Sequence, residues 1–194
     1  MGNNYHETET YDNLEMTEAI IKDQEFFECE FNNCTFEEMT LKDSRLSGCI
    51  FVKCTIISLR SKDSTMKNCT FENCNLIGVH WQELFASGGI AGPFSELKNC
   101  LLKYNSFVEM NLKGFDFTGN TIQNAVFEDC CLVNACFNQC RLEESEFAGC
   151  DLKNADFREA RGYRIDILTN KMKQAQFSFP EVVTLLDCLG IKVT

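Results

Sequence analysis

The chain has 194 residues, with 18 Lys plus Arg against 29 Asp plus Glu, a net charge of −11 and a pI near 4.7. An acidic excess of this size argues against a nucleic-acid binder or an anionic-membrane binder and suits a partner with a basic surface. With 44% hydrophobic residues and only two prolines, the chain can bury a core and is poorly suited to disorder.

Residues 1–13, MGNNYHETETYDN, are polar and acidic and lack the apolar stretch of a secretory signal, so an N-terminal tail is expected there. No apolar run approaches the length of a membrane span. The 13 cysteines, an odd number, are therefore expected to be reduced thiols of a cytoplasmic protein.

From residue 14 a five-residue rule takes over, and a period of five fits neither a helix nor a strand. Large apolar residues recur at Met16, Ile21, Phe26, Phe31, Phe36, Leu41, Leu46, Phe51, Ile56, Met66, Phe71, Leu76 and Trp81, with Ser61 as the exception. Two residues before most of these centres lies a small residue, as at Ala19, Cys29, Cys34, Ser44, Cys49, Cys54, Cys69 and Cys74. Ten of the 13 cysteines occupy this slot along the chain, so they are expected to be packing, since a buried free thiol behaves as a small hydrophobe. Leu59 before Ser61 inverts the size order, and a bulged wall is expected there. The first block runs over 14–81.

Residues 82–96 break the rule, with three glycines and a proline between Gly88 and Pro93. They predict an ejected loop, about eleven residues beyond what the repeat needs. Glu83, Leu84, Phe85, Ile90, Phe94 and Glu96 are its candidate partner-contact residues, because long loops in compact domains are often functional. The competing expectation is that its apolar residues fold back onto the wall.

The second block, 97–160, resumes the rule one residue out of phase, with centres from Leu97 through Phe107, Phe117, Phe127, Phe137 and Phe147 to Phe157. Met110 and Phe115 are oversized in the small slot, and Gln24, Asn105 and Asn120 are polar in it, so each needs room or a hydrogen-bond partner inside. Residues 161–194 predict a cap. Ser178 and Glu181 have capping-box spacing, an apolar helix is expected over about 179–189, and Gly190 would close it. Val182, Leu185, Leu186 and Leu189 are the candidate dimer interface, since one covered face does not account for all of these residues. Ile191 and Val193 alternate as a short strand.

No phosphate loop, zinc-protease motif or nucleophile elbow is present, so no enzyme and no cofactor are expected. The spacing of the cysteines separates them onto different faces or parallel columns rather than converging them on a metal. Charge is uneven: residues 1–40 hold eleven acids and one base, and residues 128–160 hold eight acids and three bases. Glu25, Glu28, Glu30, Glu37 and Glu38, with Glu143, Glu144 and Glu146, are the candidate acidic surface.

The pattern resembles the pentapeptide-repeat family, most closely at Ala155-Asp156-Phe157-Arg158-Glu159 and Cys150-Asp151-Leu152-Lys153-Asn154. The resemblance covers residues 14–160 and implies an all-β solenoid, a right-handed quadrilateral β-helix with four pentapeptides per turn, one ejected loop and a short C-terminal capping helix. Cys29, Cys49 and Cys69, twenty apart, and Cys34, Cys54 and Cys74 support that turn length. Within the family, the loop followed by a C-terminal dimerising helix is similar to the Qnr, MfpA and McbG group, whose members bind DNA gyrase and protect it from quinolones or peptide toxins. The resemblance thus implies a homodimeric DNA mimic that engages gyrase and binds neither nucleic acid nor membrane. The alternative is a structural or adaptor module with an unrelated protein partner.

Overall fold

The computed structural model describes residues 4–85 and 92–191. It divides into two compact units, residues 1–105 and 106–194. Each is a parallel β-helix whose wall turns a corner every five residues.

In unit 1 four columns of short parallel strands form the walls. Face I contains Tyr5–Glu7, Glu25–Phe27, Arg45–Ser47 and Thr65–Lys67. Face II contains Thr10–Asp12, Glu30–Asn32, Ile50–Val52, Cys69–Glu72 and Phe94–Lys98. Face III contains Glu15–Thr17, Thr35–Glu37, Thr55–Ile57, Asn75–Ile77 and Leu101–Lys103. Face IV contains Ile20–Lys22, Thr40–Lys42 and Arg60–Lys62. Partners are twenty residues apart, as in Phe31↔Phe51↔Phe71. The strands at Tyr5–Glu7 and Thr10–Asp12 replace the expected tail: His6 and Tyr11 continue the register of centres and stack on Phe26 and Phe31 at 4.8 and 5.0 Å.

The corners explain the outward positions. The second residue after each centre adopts a left-handed conformation, for example Glu28 at φ +50° and Asn33 at φ +53°. Such a conformation is uncommon outside glycine, asparagine and aspartate. Here the stack holds it, because the corner N–H donates to the next turn, as from Glu28 to the Ser47 carbonyl at 2.8 Å.

The small slot has a job that the sequence pattern alone did not reveal. Each inward thiol donates to the carbonyl of a centre in the preceding turn, as a second donor to that group. Cys54 Sγ reaches the Phe31 carbonyl at 3.2 Å and Cys74 Sγ the Phe51 carbonyl at 3.3 Å. In unit 2, Cys140 Sγ reaches that of Phe117 at 2.8 Å. Ser145 Oγ and Asn170 Nδ2 make the equivalent bonds to Ile122 and Phe147. Asn105 does the same to Leu76 at 2.7 Å while its Oδ1 accepts from Trp81 Nε1 at 2.9 Å. Buried polar groups need such partners, and a small donor in the slot supplies one. Burial pushes the Cys140 thiol up to about 12, so this sulfur stays a neutral thiol.

The interruption is shorter than expected. Asn75 pairs with Leu101, twenty-six residues on, so six residues are in excess of a turn rather than eleven. Trp81–Leu84 forms a short 3-10 helix with Trp81 and Leu84 buried, and Phe94–Lys98 rejoins face II with a bulge at Cys69. The wall does not bulge at Ser61, which pairs in register with Leu41.

Unit 2 carries its Phe centres as two stacks. Phe107, Phe127 and Phe147 follow one another at 4.4 and 4.6 Å, and Phe117, Phe137, Phe157 and Phe177 at 4.7, 4.8 and 5.2 Å. Rings of neighbouring stacks meet edge to face, the other favoured arrangement of the aromatic quadrupole. Oversized Met110 is buried and Phe115 half-buried, its ring 4.6 Å from that of Phe117. The coil continues through a further turn, with Arg161–Ile165 beside Arg141–Ala148 and Gln176–Phe177 beside Asp156–Phe157. A 3-10 helix, Glu181–Leu189, then ends at Gly190 with φ +67°. Ser178 and Glu181 do not form the expected capping box. Ser178 Oγ accepts from Glu159 N and Glu181 Oε1 from Gly162 N at 2.6 Å, so both groups tie the helix to the turn beside it.

Candidate partner-binding surface

The five acids singled out in unit 1 spread over three faces. Glu25 and Glu28 belong to face I and its corner, Glu30 to face II, and Glu37 and Glu38 to face III and its corner. They surround the second turn as a belt rather than running along the axis as a ladder. The Glu25 column shows why: Tyr5, Glu25, Arg45 and Thr65 follow one another, and Arg45 reaches Glu25 at 3.2 Å. Glu28 is followed by Gly48, over which its Cγ lies within van der Waals reach of an added Cβ. Face IV has the opposite character at its outward position, with Lys22, Lys42 and Lys62 in one column.

The six loop candidates divide. Glu83 is exposed and Phe85 half-buried, both reachable by a partner. Leu84 and Phe94 are buried, and Phe94 packs edge-on against Trp81 at 4.9 Å. They close the wall and are not available as contacts in this conformation. Glu96 is paired to Lys98 at 2.8 Å, and this hydrogen bond raises the Lys98 pKa. Ile90 lies outside the described residues.

In unit 2 the acidic candidates are locally compensated. Arg164 pairs with Glu144 and approaches Glu146 at 4.0 Å, and Arg141 approaches Glu143 at 3.9 Å. No spacing in the sequence signals this, because Arg164 reaches Glu144 from the next turn across a shifted register. Of the dimer candidates, Val182, Leu185 and Leu186 are half-buried, and Leu189 is exposed. Around them Phe179 is 82% and Leu168 72% exposed. Val193 lies outside the described residues.

Residues 24–86 match the family model described as a pentapeptide repeat region, and residues 135–161 match that described as pentapeptide repeats in eight copies. Together with the four-walled parallel coil, this decides the family. The chain is a pentapeptide-repeat protein. Among solved structures, this pentapeptide-repeat chain is similar to full-length QnrB1, a plasmid-mediated fluoroquinolone resistance protein, with 16% identity and a TM-score of 0.51 over 96% of this chain and 100% of that one. It is also matched to HetL, a pentapeptide repeat protein involved in heterocyst differentiation regulation from the cyanobacterium Nostoc sp. Strain PCC 7120. There the identity is 13% and the TM-score 0.40, over 90% of this chain and 87% of that one. At these identities the likeness is one of fold. No curated protein matches the chain in sequence.

Pentapeptide repeats leave three of every five side chains outside, and here that outside has no group of three or more His, Cys, Asp or Glu placed to hold a metal among the described residues. Nor is any described helix long and apolar enough to cross a membrane. The outward positions offer surfaces of contrasting charge.

Proposed function

We propose that this pentapeptide-repeat protein is a non-enzymatic cytoplasmic binding protein that engages DNA gyrase through a DNA-like acidic surface and protects it from quinolones or peptide toxins. The observation carrying this reading is the belt of Glu25, Glu28, Glu30, Glu37 and Glu38, of which only Glu25 has a basic partner among the ion pairs of the described residues. A duplex surrounds itself with charge, and a groove built for it attracts a comparable carboxylate density. Glu143, Glu144 and Glu146 contribute less, because neighbouring arginines offset them. The resemblance of the loop and cap layout to the Qnr group, with the fold likeness to QnrB1, is what favours gyrase over other partners in this reading. Exposed Phe179 and Leu189 support a homodimer through the C-terminal helix.

Purified protein added to a gyrase supercoiling reaction restores activity in the presence of a fluoroquinolone. The variant with all five glutamates changed to Gln requires a concentration at least about tenfold higher, given the steep charge dependence of duplex-like contacts. Phe85→Ala with Glu83→Lys tests the exposed part of the loop without removing Leu84 or Phe94 from the core. No rescue across several fluoroquinolones and a gyrase-poisoning peptide sinks the reading, and capture of a different protein would then favour the adaptor alternative. Leu189→Asp is expected to halve the mass in sedimentation, and a wild-type monomer refutes the dimer.

A further inference from the structure

Between the strand Gln176–Phe177 and the 3-10 helix Glu181–Leu189 the chain leaves the wall of unit 2, and a groove of about 620 Å³ opens beside it. Three successive turns line this groove, at residues 139–141, 159–161 and 178–181. Its volume falls within the range of small-molecule sites.

The charged part of the lining is Arg141 and Arg161 with Glu159 and Glu181. Both carboxylates are already engaged. Glu181 Oε1 accepts from Gly162 N at 2.6 Å, and Glu159 Oε2 accepts from Gln139 Nε2 at 3.1 Å. The guanidinium groups are not. Arg161 has no carboxylate partner among the ion pairs of the described residues, and Arg141 only approaches Glu143, at 3.9 Å. Arg141 and Arg161 are register partners in neighbouring parallel strands, which puts their backbones about 4.8 Å apart. Two like charges held one rung apart repel, and an anion between them replaces that repulsion with attraction. A guanidinium fork takes a phosphate through two parallel N–H···O bonds, and one phosphate has oxygens for two forks. The apolar part of the lining is led by Phe179, 82% exposed, with Pro180 after it. A bare aromatic face favours a planar ring.

We propose that this groove of unit 2 binds an aromatic phosphate monoester, its phosphate bridging Arg141 and Arg161 and its ring against Phe179. Ser178 completes the phosphate side, because its Oγ accepts from Glu159 N and keeps its own proton to donate to a phosphate oxygen. The lining selects among ligands. Inorganic phosphate brings nothing for Phe179, an uncharged ring brings nothing for the arginines, and an aromatic ammonium meets two guanidinium groups. The site uses no residue of the acidic belt, so it stands apart from the choice of gyrase as partner.

Backbone-amide NMR of the full chain tests this with phenyl phosphate, at a slightly alkaline pH where the monoester is a dianion. Saturable shifts are expected at the amides of the lining residues. Inorganic phosphate and phenol should each bind at least about tenfold more weakly, since each keeps only one set of contacts. Arg141→Gln with Arg161→Gln, both exposed, abolishes the shifts with an unchanged melting temperature. Arg161→Lys keeps the charge but not the fork and should still weaken binding severalfold. Phe179→Ala brings phenyl phosphate down to the level of inorganic phosphate. A phosphotyrosyl peptide binding at least about tenfold tighter than phenyl phosphate would assign the ring to a protein side chain, and equal or weaker binding assigns it to a free small molecule. Four results overturn the proposal: no saturable shift in the wild type, equal binding of phenyltrimethylammonium, undiminished binding to the double Gln variant, or binding that appears only in Leu189→Asp, which would make the groove an interface between copies.

Discussion

In unit 1 the wall segments are extended, and the residue before each centre is mostly threonine, isoleucine, glutamate or arginine, as at Thr35, Thr40, Arg45 and Ile50. In unit 2 two of the four columns are instead β-turns closed by a hydrogen bond from the third residue after the centre, as from Ala135 to Leu132 and Ala155 to Leu152 at 3.0 Å each. There the residue before the centre is often Asn or Asp, and its side chain accepts from the N–H two residues on: Asp116 from Thr118 and Asp156 from Arg158, both at 2.9 Å. β-branched residues favour the extended form, and Asx residues fold the turn around their own side chain. Yet Cys131 and Cys136 sit in the turn columns with no such side chain, and Asn75 sits extended between Thr55 and Leu101. The column decides, and a single residue follows its neighbours above and below, as nearest-neighbour coupling in repeat proteins requires.

The largest expected effect separates a closed stack from the half-exposed turns of unit 1. Phe127, fully buried between Phe107 and Phe147, should cost about 3–5 kcal/mol on substitution by Ala. Phe26→Ala, half-exposed beneath the first turn, should cost under about 1.5 kcal/mol. Urea denaturation of both variants measures the contrast, and equal losses would mean that the first turn is covered. Next comes a corner without an equivalent in unit 1. Gly162 has φ +76°, and a Cβ there would come within 2.8 Å of the Glu143 backbone, so Gly162→Ala should destabilise by about 1–3 kcal/mol.

A smaller effect tests the two kinds of turn. Asp156→Ala loses both the Asx bond and the Arg158 pair and should cost about 1 kcal/mol at neutral pH. Glu30→Ala, before a centre in an extended column, should stay within about 0.5 kcal/mol. The Arg158 hydrogen bond holds the Asp156 carboxyl below its usual value. The difference between wild type and Asp156→Ala is therefore full above the unfolded carboxyl's range and shrinks as pH falls through the lowered folded value. Loss of that pH dependence would break the assignment. Smallest of all is an alkaline effect: burial, with the charge of Glu181, pushes the Tyr163 phenol up to about 12. Its unfolded form ionises first, so stability should decline from about pH 10 towards pH 12, and less steeply in Tyr163→Phe.

Much of this fold was legible because a five-residue period of large and small residues has few physical solutions. The inward cysteines and the phase shift across the interruption follow from counting, and the twenty-residue turn is what the resemblance to the pentapeptide-repeat family implies. His6 and Tyr11 lie in a polar, acidic stretch that reads as a tail, although both sit in register and both stack. The loop was overestimated because Trp81, Leu84 and Phe94 remain in the wall while the residues between them do not keep the period. The acidic surface was legible as composition but not as geometry. Whether a glutamate faces solvent alone or meets an arginine depends on what lies one turn away, as Glu144 and Arg164 demonstrate.

The twenty-residue partnership of Phe31, Phe51 and Phe71 also bears on how such a gene can change. Duplicating or deleting the coding sequence of one whole turn leaves every remaining residue on its own face, with its carbonyl still capped by a slot donor. Duplicating a single pentapeptide would rotate all that follows by one wall, setting lysine columns where glutamates had been. The surface is thus heritable in blocks, and a change of length alone can redraw its charge map without a single point mutation.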